Sequence, residues 1–155
     1  MSKKWPEVKN FYPTNPEKYI GDLANIKMRS SWEIKFAKYC DTNPSVLKWN
    51  SEDIHIPYWS TLENKQRTYH LDFIVTMVTV DGPRTYLIEI KPYNQTIKPE
   101  MKRGKKQQTY LTECQTYQLN IDKWRAANEW AKSYGYTFIV LTEEQLYGKN
   151  IKKKK

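Results

Sequence analysis

Tyr69-His70-Leu71-Asp72-Phe73-Ile74-Val75-Thr76 alternates apolar and polar residues, and after Asp81-Gly82 a second such run follows, Arg84-Thr85-Tyr86-Leu87-Ile88-Glu89-Ile90-Lys91. A period of two marks a half-buried strand. Asp-Gly between two such runs predicts a hairpin. With Asp81-Gly82 as a two-residue turn, Val80 pairs with Pro83, Ile74 faces Glu89 and Asp72 faces Lys91. Asp72, Glu89 and Lys91 then share one face, with the two acids as diagonal neighbours. A slip of one residue would separate them.

Outward from the hairpin, Ser30 or Ser31 offers an N-cap for a helix over roughly 31–41, ended by Asn43-Pro44. On it Tyr39, Trp32, Phe36, Cys40 and Ala37 form one apolar arc, and Glu33 falls inside that arc. A buried carboxylate needs a partner or a metal. The alternatives are a boundary Glu whose head reaches water, or a first-turn Glu favoured by the helix dipole. Residues 46–58 read as a strand pair or extended stretch, 59–67 as a polar loop, and 69–80 as one strand. Residues 93–119 are polar and basic, helical in part from Gln107. A second helix covers about 121–134, with Ile121, Trp124, Ala127, Ala131 and Tyr134 at helical spacing and Gly135 as its stop. Thr137–Thr142 reads as a short buried strand. The order predicts an α/β fold, a mixed central sheet containing an antiparallel hairpin and flanked by helices. Residues 1–28, punctuated by Pro6, Pro13 and Pro16, read as an irregular arm, 29–148 as the single domain, and 149–155 as a basic tail.

A chain of 155 residues with 39% hydrophobic content can bury a core. Its formal charge of +9 favours a polyanion as partner. That charge is concentrated. Lys91, Lys98, Lys102, Arg103, Lys105 and Lys106 face only Glu100 across their stretch, and the tail from Lys149 carries no acid. Such a loop serves either as a phosphate-binding clamp or as a solubilising surface. Cys40 and Cys114 have no zinc-like spacing, no Gly-rich phosphate loop is present, and His55 and His70 complete no Ser-His-Asp pattern. No run has the length of a membrane span and the N-terminus has no apolar signal core, so a soluble, intracellular protein is expected.

Two carboxylates on neighbouring strands repel unless a cation sits between them. Oxygen ligands suit a hard divalent ion, and a lysine beside such an ion can orient a water or stabilise developing negative charge. The competing reading is a surface ion-pair ladder with Asp72 opposite Lys91.

Five stretches carry a resemblance. They are Ser31-Trp32-Glu33, Ile56-Pro57-Tyr58, Tyr69-His70-Leu71-Asp72-Phe73, Leu87-Ile88-Glu89-Ile90-Lys91-Pro92, and Gly135-Tyr136-Thr137-Phe138 with Thr142-Glu143. In this order and spacing they resemble the PD-(D/E)XK nuclease superfamily, in its TnsA-like branch. Leu71 stands where the superfamily's Pro would precede Asp72. The resemblance implies a restriction-endonuclease-like core and a metal-dependent deoxyribonuclease. Glu33, Asp72, Glu89 and Lys91 would be catalytic, with Asp72, Glu89 and Glu33 holding Mg²⁺, for which Mn²⁺ can substitute. Lys123 is the candidate for an assisting lysine on the later helix, and it joins Lys98, Lys102, Arg103, Lys105 and Lys106 as an expected DNA contact. The whole chain is also similar to the head-completion nucleases of T-even bacteriophages. That similarity implies action on packaged DNA before heads join tails, phage head or neck proteins as partners, and the host cytoplasm or the virion as location, with no membrane. The alternative function is a non-catalytic DNA-binding or structural adaptor of virion assembly.

Overall fold

The alternating run that begins at Tyr69 belongs to two strands, not one. The computed structural model describes residues 8–148, so the tail 149–155 and the first seven residues of the arm lie outside it. Its elements are β1 (Lys9–Asn10), β2 (Lys27–Met28), α1 (Ser31–Thr42), β3 (Val46–Ser51), β4 (His55–Ser60), β5 (Lys65–His70), β6 (Phe73–Thr79), β7 (Gly82–Ile90), α2 (Gln107–Ser133), β8 (Thr137–Leu141) and α3 (Glu143–Tyr147). The central sheet has the order β3-β6-β7-β8. It is mixed, because β8 runs parallel to β7 while the other pairs are antiparallel. β4 and β5 form a separate two-stranded ribbon.

Two cores explain why an unbroken alternation is split. Tyr69 and Leu71 pack with Ile56, Tyr58, Leu87, Ala127 and Ala131, beneath α2. Phe73 and Val75 pack with Phe36, Ala37, Cys40, Trp49, Ile88 and Ile90, beneath α1. All four residues are buried, so the period of two survives while the chain crosses from one layer to the other at Asp72. The crossing is braced by Leu71 N donating to Ile54 O at 3.0 Å and Glu52 N donating to Asp72 O at 3.1 Å. Much of the expected 59–67 loop is strand. Lys65, Gln66, Arg67 and Thr68 are all exposed, so no apolar period announced β5.

The hairpin register also differs. Thr79 faces Gly82 and Phe73 faces Ile88, which makes Val80-Asp81 the turn. Thr79 Oγ1 donates to Gly82 O at 2.7 Å and accepts from Asp81 N at 3.2 Å, closing the turn one residue early. Gly82, at φ 101°, opens the return strand in a conformation that favours glycine. The change is two residues in pairing, so every side chain keeps its expected face.

α1 begins where Ser30 Oγ accepts from Glu33 N at 3.1 Å. The partly helical stretch from Gln107 and the helix expected over 121–134 are one helix of 27 residues, Gln107–Ser133, closed by Gly135 at φ 74°. Two of its polar residues, Asn120 and Asp122, are unexpectedly buried. Asp122 accepts from Thr61 N and Thr61 Oγ1, both at 2.9 Å, and from Gln118 Nε2 at 3.0 Å, which ties the ribbon's turn to α2. β8 is an edge strand and only half-buried, unlike the buried strand expected for 137–142. The segment 8–28 contributes Phe11, Tyr19, Ile26 and Met28 to the core under α1. Asp41 anchors it by accepting from Thr14 N at 2.7 Å and Asn15 N at 2.8 Å. Among the described residues, no helix is long and apolar enough to cross a membrane.

Candidate active site

Asp72 sits at the bend between the ribbon and the sheet, where its side chain is not committed to either core. Its Oδ2 accepts from Ile90 N at 2.8 Å. The ladder ends at the pair of Phe73 and Ile88, and Asp72 lies one residue beyond it, where the charge of Glu89 bears on it. Glu89 is held between β6 and β8, paired with Val140, and is 3% exposed. Lys91 follows, its amide fixed to Leu141 O at 3.0 Å. Its Nζ lies 3.7 Å from Glu89 Oε2, so Lys91 pairs with Glu89 and forms no ladder with Asp72. Ile90, between them, packs on the opposite face under α1.

This pair of acids is short of positive charge. Burial first, and the charge of Glu89 second, push the Asp72 carboxyl well above the usual carboxylate range, while the Ile90 amide and Lys91 pull less strongly the other way. Glu89 Oε1 is buried and has no hydrogen-bond partner among the described residues. A buried carboxylate beside a second acid needs positive charge close by, so the pair is a place for a cation. Asp72 and Glu89 are therefore a suitable oxygen donor pair for a hard divalent ion.

Glu33 approaches from the other layer. Its Oε1 accepts from Arg29 N at 3.0 Å, so it closes the first turn of α1 as a first-turn acid can. It also feels the site. Burial, then the charges of Asp72 and Glu52, push its pKa up to about 7. Glu33 is thus brought near Asp72 without joining it. Among the described residues, no group of three or more His, Cys, Asp or Glu is arranged to hold a metal ion.

On the α2 side, Lys123 Nζ lies 5.5 Å from the centre of the Tyr69 ring. Burial and the nearby Lys91 lower its pKa, with Glu89 and Asp72 acting against them. This α2 residue, distant in sequence, is therefore at the carboxylates. Lys98, Lys102, Arg103 and Lys106 are exposed. Lys98, Lys102 and Lys105 help line a groove of about 630 Å³ between the loop and the first turns of α2. Lys105 is spent internally. It pairs with Glu113 Oε1 at 2.7 Å and donates to Glu100 O at 2.7 Å. His70 lies outside the site, its ring 4.4 Å from that of His55 on the outer face of the ribbon.

The family model for the TnsA-like endonuclease N-terminal domain matches residues 43–143. The chain belongs to the TnsA-like endonuclease family. It is also 37% identical over 137 residues to the head completion nuclease of Enterobacteria phage T4, a match covering 86% of this chain and 89% of that protein. No solved structure matches significantly. In this TnsA-like nuclease the family match spans β3 to β8, and so includes Asp72, Glu89, Lys91 and Lys123 but not Glu33.

Two neighbours of the site were not singled out from the sequence. Tyr69 reads as a core residue of the alternating run, and nothing in that period distinguishes a packed ring from a hydroxyl aimed at a carboxylate. Glu52 carries no pattern at all. It holds a left-handed backbone at φ 57°, braces Asp72 through its amide, and pairs with Arg29 Nε at 2.6 Å. Only the folded bend brings it there.

Proposed function

We propose that this nuclease hydrolyses phosphodiester bonds in DNA with a divalent cation, Mg²⁺ or Mn²⁺, held by Asp72 and Glu89. The observation that carries the reading is the pair itself: two acids at the open end of the hairpin, Glu89 buried and its charge bearing directly on Asp72. When bound, the cation supplies an activated water and positive charge for the phosphate under attack. The chain's own residues do the rest. Ile90 N fixes the rotation of Asp72 through Oδ2. Lys91, anchored by Leu141 O, keeps its ammonium beside Glu89, where it can orient a water or stabilise charge on the phosphate oxygens. Lys123 adds a second cation on the α2 side. Glu33, poised near neutrality, is placed to accept or release a proton at the edge of the site. Lys98, Lys102, Arg103 and Lys106 hold the DNA backbone.

The likeness to the T4 head completion nuclease supports packaged phage DNA as the substrate, with head or neck proteins as partners, in the host cytoplasm during assembly. Plasmid DNA incubated with Mg²⁺, Mn²⁺ or EDTA tests the chemistry. Cleavage with either metal and none with EDTA is expected. Equal cleavage in EDTA, or by Asp72→Asn and Lys91→Ala, overturns the assignment. Linear and circular substrates in parallel separate end-directed from internal cutting. For the biological setting, Lys91→Ala supplied in place of the parent during infection should leave filled heads without tails; normal phage yield would contradict the packaged-DNA reading.

A further inference from the structure

Tyr69 is 2% exposed, and its hydroxyl has no hydrogen-bond partner among the described residues. Glu89 Oε1 is orphaned in the same way. The two are neighbours, and Tyr69 feels Glu89 first and Asp72 second among the surrounding charges. A phenol carries one proton to donate, and an ionised carboxylate only accepts. The two unpaired atoms are therefore complementary, and the Glu89 carboxylate is close enough to act on the Tyr69 hydroxyl.

The rest of Tyr69 is explained without the hydroxyl. Its ring packs among Ile56, Leu71 and Ala127 under α2, and its face seats the Lys123 ammonium at 5.5 Å. A Phe would do both. Only the hydroxyl lacks an account, and buried polar groups without partners are rare in folded chains. Glu89 has the converse need. Its terminal torsion is broad, and the Lys91 ammonium at 3.7 Å from Oε2 does not by itself fix the carboxylate's rotation. A metal ligand works when a neighbouring hydrogen bond fixes its orientation.

We infer that Tyr69 is a positioning residue of the nuclease site: its hydroxyl donates to Glu89 Oε1 and fixes the carboxylate's rotation, leaving the oxygen beside Lys91 for the cation. Asp72 already has such a support in Ile90 N. Tyr69 gives Glu89 the matching one, so each acid has one oxygen held by the fold and one turned to the site. This role for Tyr69 rests on the proposed metal site.

The test is Tyr69→Phe, which keeps the ring, the packing and the seat for Lys123. Mn²⁺ binding is measured directly by electron paramagnetic resonance, beside the Mg²⁺ concentration for half-maximal plasmid cleavage and the melting temperature without metal. Mn²⁺ affinity should fall, and the Mg²⁺ requirement rise, by roughly 10-fold or more, the usual cost of removing such a support, with metal-free melting unchanged or slightly higher. If Tyr69→Phe binds Mn²⁺ as the parent does, or if its only change is a lower melting temperature, Tyr69 has no positioning role. A parent chain that neither binds Mn²⁺ nor cuts DNA overturns the metal site itself, a distinct outcome.

Discussion

The two ends of the β6–β7 hairpin are built from one ladder and meet opposite fates. At the turn, polar groups find partners. Thr76 and Thr85 share a hydroxyl bond at 2.8 Å, Thr79 closes the turn, and Asp81 pairs with Arg84 at 3.4 Å in the open. At the other end, Asp72 and Glu89 meet as two acids, and burial and the charge of Glu89 work against ionisation of Asp72. Strand pairing alone does not create that difference. The open end lies where the chain leaves one core for the other, so Asp72 is displaced from both while Glu89 is sealed between β6 and β8. Polar groups that cost stability are concentrated where chemistry needs them.

Removing charge at the open end should have the largest effect. Asp72→Asn, Glu89→Gln and Lys91→Ala are each expected to lower plasmid cleavage by roughly 10³-fold or more, while Asp81→Asn at the turn stays within about twofold. Comparable effects at both ends would erase the contrast. The basic loop comes next. Replacing Lys102, Arg103 and Lys106 together by Ala should weaken DNA binding and reduce the slope of log affinity against log salt by about 0.9 for each phosphate the loop no longer neutralises. An unchanged slope means that the loop does not touch the backbone. Lys105→Ala should act differently, lowering the melting temperature by removing the bonds to Glu113 and Glu100.

Stability against pH gives a subtler contrast. The carboxyls of Glu33 and Asp72 are raised above their ordinary values, Glu33 to about 7. Between the ordinary carboxylate range and neutrality the folded chain thus binds more protons than the unfolded one, and stability falls as pH rises through that window. Without metal, the melting temperature should drop between about pH 5 and pH 8. Mg²⁺ should restore stability at the upper end by binding the ionised acids. Asp72→Asn should raise metal-free stability at pH 8 by about 1 kcal/mol, or roughly 2–4 °C. A melting temperature that rises across the same window would show that these acids are not held back by burial. The smallest effect belongs to the turn, where Thr79→Val should cost about 1 kcal/mol in a denaturant titration without changing cleavage.

Much of this is legible in sequence because the decisive signals are periodic. The alternation around Asp72 and Glu89 assigns both to one face, and that survives a wrong turn because a two-residue change preserves parity. The inward arc of α1 finds Glu33. What fails is whatever depends on more than one layer. A period of two cannot say that Tyr69 and Phe73 enter different cores. The exposed Lys65–Thr68 stretch has no apolar residues to mark it as strand. Lys123 comes to the site through resemblance alone. Its neighbour Asp122 is a buried acid held by Thr61, in the turn of the β4–β5 ribbon.

One titration tests the metal site most directly. Mn²⁺ added to the parent, Asp72→Asn and Glu89→Gln chains at pH 8 should give a bound signal in the parent and an affinity lower by at least about 10-fold in each variant. If either variant binds Mn²⁺ as tightly as the parent, the two acids are not where the cation sits, and the open end of the hairpin is not the metal site.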